Sequence, residues 1–158
     1  MDLQAKKKAL RMISYGLYIL TSKSEEEVAG CTVTWFSQAS MNPPQVMVGL
    51  ENESHTYHAV EKSGKFVVNF LGKGQKEIAQ KFFKHPHVED GKINGFPYKT
   101  GVTGAPILLD LPAYVECKLI DTVKKGDHYI VIGEVIEAGV QHELEPLALR
   151  ETGWSYGG

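Results

Sequence analysis

Two long runs of β-forming residues, 113–122 and 128–138, are separated only by Val-Lys-Lys-Gly-Asp, and this spacing constrains the fold more than any other feature of the chain. So short a link turns a strand back beside its predecessor, whereas a parallel return needs a crossover of about a dozen residues or more. The pair therefore reads as an antiparallel hairpin. The alternation of Ile130, Ile132 and Val135 supports it, and Gly133 marks a possible irregularity. Residues 15–21 and 28–36, joined across the polar turn 22–27, read as a second hairpin, and residues 45–50 and 65–71 as further strands. Short turns without a strand–helix–strand alternation argue against a doubly wound parallel sheet. They point to a mainly β chain, a closed antiparallel barrel of at least six strands with two or three peripheral helices.

The helices are expected at residues 3–13, at 55–62 with Gly64 ending the run, and at 75–83, where Ile78, Ala79, Phe82 and Phe83 share a face. Residues 85–111 carry several prolines and glycines with little periodicity and read as an irregular excursion. At 158 residues the chain has the length of one domain, expected to span 1–158. The terminal Trp154-Ser155-Tyr156-Gly157-Gly158 reads as a flexible aromatic tail that packs over a site or on a neighbouring subunit.

Seventeen basic against nineteen acidic residues give a net charge of -2, with no concentrated face of either sign, so nucleic acid and anionic membranes are not expected partners. No apolar run nears the roughly 20 residues that cross a bilayer. Cys31 and Cys117 lack CxxC spacing, and no basic-then-apolar leader precedes the first strand, which predicts a reduced, cytoplasmic protein.

Chemistry concentrates in a few segments. Residues 32–44, Thr-Val-Thr-Trp-Phe-Ser-Gln-Ala-Ser-Met-Asn-Pro-Pro, pass from a strand into hydroxyl and amide side chains suited to a planar, polar-edged, anionic ligand. Asn52-Glu53-Ser54-His55-Thr56 reads either as a plain helix cap or as a phosphate site at a helix N-terminus. Asp127-His128 sits at a hairpin tip, as an ordinary turn or as a presented site. Gly72-Lys73-Gly74-Gln75 has too few glycines for a phosphate-cradling loop and reads as a turn, so Rossmann and P-loop folds are excluded. The pairs His55/His58 and His85/His87 lack the converging ligands of a metal centre, so no metal is expected, and no GxSxG elbow supports nucleophilic hydrolysis.

These segments together resemble the flavin reductase-like proteins with an FMN-binding split β-barrel, the group that includes flavoredoxin and the reductase domains attached to rubredoxins and flavodiiron proteins. The resemblance covers nearly the whole chain. It rests on Ile13-Ser14-Tyr15-Gly16-Leu17-Tyr18, on Thr32 through Ser40 before Pro43-Pro44, on Phe66-Val67-Val68-Asn69 with Leu71 and Gln75, and on Gly126-Asp127-His128 followed by Gly133-Glu134-Val135. It implies that Thr32, Val33, Thr34, Trp35, Ser37, Gln38 and Ala39 lie along the isoalloxazine edge. Gln38, Ser40, Ser54 and Thr56, joined by His55, would meet the ribityl phosphate, in a loop without the arginine many relatives carry. It further implies Asn69 beside the flavin and His128 near the nicotinamide or the reactive ring face. The implied activity is hydride transfer from NADH or NADPH to FMN, with onward delivery to a rubredoxin, a flavodiiron protein or ferric iron by a homodimer. The alternative is an FMN-binding electron carrier reduced by a protein partner, without its own nicotinamide site; a flavin-free barrel is the third reading.

Overall fold

The computed structural model describes residues 1–158 and runs through α1 (Leu3–Leu10), β1 (Tyr18–Lys23), β2 (Val28–Val33), β3 (Phe36–Met41), β4 (Pro44–Glu51) and α2 (His55–Ser63). There follow β5 (Lys65–Phe70), α3 (Lys76–Lys81) and four short strands, β6 (Val88–Glu89), β7 (Lys92–Ile93), β8 (Phe96–Thr100) and β9 (Pro106–Leu108). The long pair β10 (Ala113–Val123) and β11 (His128–Val140) precedes α4 (Leu149–Thr152). The fold is mainly β, and its spine is the hairpin that the sequence predicts.

Seven strands form one antiparallel sheet in the order β2-β1-β5-β10-β11-β4-β3. No ladder joins its two edges, β2 and β3, so the barrel is split as the resemblance implies, and the expectation of full closure is corrected. The reason lies in residues 28–36, expected as one strand. The backbone breaks at Thr34 and Trp35 to step from one edge of the sheet to the other, and Gly49 N donates to Trp35 O at 2.8 Å to fasten the step.

The barrel interior holds Leu20, Val33, Val46, Val48, Leu50, Phe66, Val68, Cys117 and Val131, with Tyr57 and Val60 of α2 packed among them. Two local devices set α2: Ser54 Oγ accepts from Tyr57 N at 3.1 Å at its start, and Gly64 ends it at φ 66°, a conformation open to glycine at little cost. Gly133 of β11 has a packing reason, because an added Cβ would lie 2.4 Å from Phe66 Cζ. A second core of Leu17, Ile19, Leu71, Ala79, Phe82, Ile93, Leu108 and Leu111 lies under α3 and the small sheet β6-β7-β8-β9. That sheet corrects the expectation of an irregular excursion at residues 85–111. Its strands are two to five residues long, too short to display a period. The helices number four, the extra one being the single turn α4.

Asn69 is fully buried and joins the two sheets: Nδ2 donates to Ile19 O at 3.1 Å, and Oδ1 accepts from Leu108 N at 2.9 Å. Asn69→Ala is expected to lower the unfolding free energy by about 2–3 kcal/mol, since the Leu108 amide would be buried without a partner. Urea denaturation measures it, and a loss below about 0.5 kcal/mol would show that these bonds are dispensable.

Candidate functional site

A cavity of about 610 Å³ opens where the barrel is split, a size typical of small-molecule sites. One wall is β2 with the Thr34–Trp35 step, and the facing wall is Gly49, Leu50 and Glu51 of β4. The N-terminus of α2, the segment after α3, His128 at the start of β11 and the C-terminal tail complete it.

One end of the cavity is aromatic. Trp35 lies 4.5 Å from the His128 ring and 5.2 Å from that of Tyr156, centroid to centroid, so three flat side chains gather at one point. Their polar atoms form a chain. His128 Nδ1 is 2.9 Å from Asp127 Oδ1, and His128 Nε2 is 2.7 Å from the Tyr156 hydroxyl. An ionised carboxylate only accepts, so in neutral His128 the proton sits on Nδ1 and the Tyr156 hydroxyl donates to Nε2. The His128 hydrogen bond, with its charge, holds the Asp127 carboxyl below its usual range. Burial, reinforced by the negative charge of Glu51 and other acidic groups nearby, raises the Tyr156 phenol, which keeps it a donor at neutral pH.

Two polar atoms of this wall have no partner. Thr34 Oγ1 and Trp35 Nε1 are buried and make no hydrogen bond, although both residues line the cavity. Buried hydroxyls and indole N–H groups are almost always paired, so an orphan pair beside a cavity fits a ligand with a polar edge. The other end suits an anion. The His55 and Thr56 amides at the start of α2 find no backbone acceptor, and Ser54 lies beside them.

The tail reaches the site by a defined route. Leu17 N donates to Leu147 O at 3.2 Å, Leu147 N to Leu71 O at 2.9 Å and Leu149 N to Tyr15 O at 2.9 Å, which stitches the chain onto the β1 and β5 ends. Beyond α4, Gly157 packs so tightly that an added Cβ would be 2.7 Å from Trp35 Cζ2, and Gly157 O accepts from Arg11 Nε at 3.2 Å.

Of the residues singled out by the sequence, Thr32, Val33, Thr34, Trp35, Ser54, His55, Thr56 and His128 converge on this cavity. Ser37, Gln38, Ala39 and Ser40 do not line it. They lie on β3, an edge strand paired with β4, where Gln38 Nε2 turns to Ser40 O at 3.3 Å. Asn69 also stands apart, in the core. Thr32 Oγ1 is engaged by Ala79 O at 2.6 Å, which pins α3 to the wall. Lys84, His85 and Tyr156 line the cavity without having been named as site residues; the aromatic tail and the His85/His87 pair were their only traces in the sequence.

A split antiparallel barrel with a cavity that combines an aromatic wall, orphan hydrogen-bonding groups and free helix-terminal amides defines a binding protein for a flat, polar-edged, anionic small molecule. Residues 10–155 match the flavin reductase like domain, and the chain belongs to that family, among whose relatives are a ferric-chelate reductase (NAD(P)H) and an NADH-dependent flavin reductase. It is 35% identical over 141 residues to the ferric-chelate reductase (NAD(P)H) of Archaeoglobus fulgidus, covering 88% of this chain and 83% of that one. It is 34% identical to diflavin flavoprotein A 1 of Synechocystis sp. over 84% of its own length, but spans only 23% of that much longer protein. The flavin reductase of styrene monooxygenase from Pseudomonas putida S12 superposes with a TM-score of 0.74 at 30% identity, over 94% of this chain and 91% of that one. No helix is long and apolar enough to cross a membrane.

Burial pushes the Cys31 thiol up to about 11, opposed by the Thr56 hydroxyl and aided by Glu51, and pushes Cys117 up to about 12. At pH 8 Cys31 is then ionised at roughly one part in a thousand, about two hundredfold less than a free thiol. Ellman's reagent is expected to label neither cysteine on the native timescale and both after denaturation; rapid native labelling of Cys31 would contradict this.

Proposed function

We propose that the protein is an NAD(P)H-dependent FMN reductase that holds its flavin in the split of the barrel. The observation that carries this reading is the unpartnered pair Thr34 Oγ1 and Trp35 Nε1 in the wall of an aromatic cavity. These two groups meet the polar edge of the ring, while the His55 and Thr56 amides take the phosphate beside Ser54, whose hydroxyl caps the helix. When bound, FMN supplies the hydride acceptor for NADH or NADPH and passes electrons onward one or two at a time. His128, fixed by Asp127, orients the nicotinamide through Nε2 once the Tyr156 hydroxyl gives way.

Ferric iron is the acceptor best supported, given the ferric-chelate reductase among the relatives. A protein acceptor such as a rubredoxin or a flavodiiron protein is the second, because in the diflavin flavoprotein the matching stretch forms part of a longer chain. We place the protein in the cytoplasm as a homodimer. Met47 of β4 and Ile130 of β11 are 41% and 42% exposed on adjoining strands and offer an apolar face for a second copy.

Purified protein, given excess FMN and gel-filtered, is expected to stay yellow and to bleach anaerobically with NADH or NADPH. Colour that persists with both nucleotides would identify an electron carrier instead, and absence of turnover with FMN and with a ferric chelate would sink the reductase reading. Trp35→Ala is expected to weaken FMN binding about tenfold or more through lost stacking and a lost donor. Tyr156→Ala is expected to lower the KM for the nucleotide severalfold by clearing His128, and an unchanged KM would show that the tail does not obstruct the site.

A further inference from the structure

We propose that Glu27, His55 and His85 form a binding site for a first-row divalent transition-metal cation at the rim of the cavity. The three side chains come from separate parts of the fold: the turn before β2, the first residue of α2 and the segment after α3. Their ligand atoms all lie within 4.8 Å of one another. His55 Nδ1 is 3.9 Å from Glu27 Oε1, and His85 Nε2 is 3.8 Å from Glu27 Oε2, so each imidazole faces its own carboxylate oxygen.

Those separations are too long for hydrogen bonds, and neither histidine makes one with Glu27. They are a few tenths of an ångström wider than the roughly 3.4 Å between two donors that share a tetrahedral ion at about 2.1 Å. Side-chain rotations must close that gap and draw together all three donors, which lie within 4.8 Å of one another. The two imidazole rings already lie 4.7 Å apart, centroid to centroid. Two imidazoles and one carboxylate form a donor set used for zinc and for non-haem iron(II), with the remaining positions left to water or a ligand. Here the open side faces solvent, since the His55 and His85 side chains are 71% and 43% exposed. His55 and His85 also line the cavity, so a bound cation would add positive charge beside Ser54 and Thr56. The site does not depend on the flavin reading.

The test is titration of flavin-free protein with cobalt(II), followed by its visible d–d absorption, and with zinc(II) by calorimetry. One equivalent is expected to bind saturably. Glu27→Gln, His55→Ala and His85→Ala should each weaken it at least tenfold, while His87→Ala, which removes an exposed histidine paired only with Glu89, should leave it unchanged. All four side chains are at the surface, and thermal melts check that the variants fold. Failure to bind either metal up to millimolar concentration, or binding that survives His55→Ala/His85→Ala, would overturn the proposal.

Discussion

The step of the backbone at Thr34 and Trp35 governs everything that follows in this structure. A seven-stranded antiparallel sheet that curls round one core tends to close, edge on edge, because unpaired strand edges are costly. Here the edges β2 and β3 are consecutive in sequence and separated by only two residues, which carry the chain across the gap rather than along a ladder. The gap cannot zip shut. Gly49 N, bonded to Trp35 O, holds the step against β4. The cavity is the direct result, and the same two residues supply the wall with its flat ring and its unpaired donors.

A cavity left open by the sheet still has to be furnished from elsewhere. α2 plugs the barrel through Tyr57 and Val60, and this packing aims its N-terminus, with free amides, at the split. Residues 145–149, tied to the β1 and β5 ends, then direct the tail across the opening, where Tyr156 completes the Asp127–His128 chain. One short segment thus serves both the second core and the cavity: Leu147 is buried in that core with Trp154 packed against it, and Trp154 to Tyr156 line the cavity.

Much of this was legible in the residues. The terminal hairpin, the two inner helices, the cap and glycine stop of α2, and the antiparallel character followed from alternation, turn length and cap chemistry, which act over a few residues and leave local marks. The polar runs 32–40 and 52–56 were marked too, because a strand that ends in hydroxyls and a capped helix start are both local features, although only Thr32 to Trp35 and Ser54 to Thr56 of them line the cavity. The small sheet β6-β7-β8-β9 escaped, since its strands are defined by their partners rather than by their own pattern. Ser37 to Ser40 have the same short polar side chains as Thr32 and Thr34, and composition could not tell them apart; the two sets fall on opposite edges of one sheet because of the break between them.

The sequence by itself determined the class of the fold, the strands and helices that carry it, and the residues from which a site could be drawn, because propensity, periodicity and turn chemistry are short-range. The tertiary structure alone decided which of those residues meet. Trp35, His128 and Tyr156 are brought together across more than a hundred residues, and Glu27, His55 and His85 across nearly sixty, by pairing and packing forces that depend on the whole chain and leave no periodic trace in any one part of it.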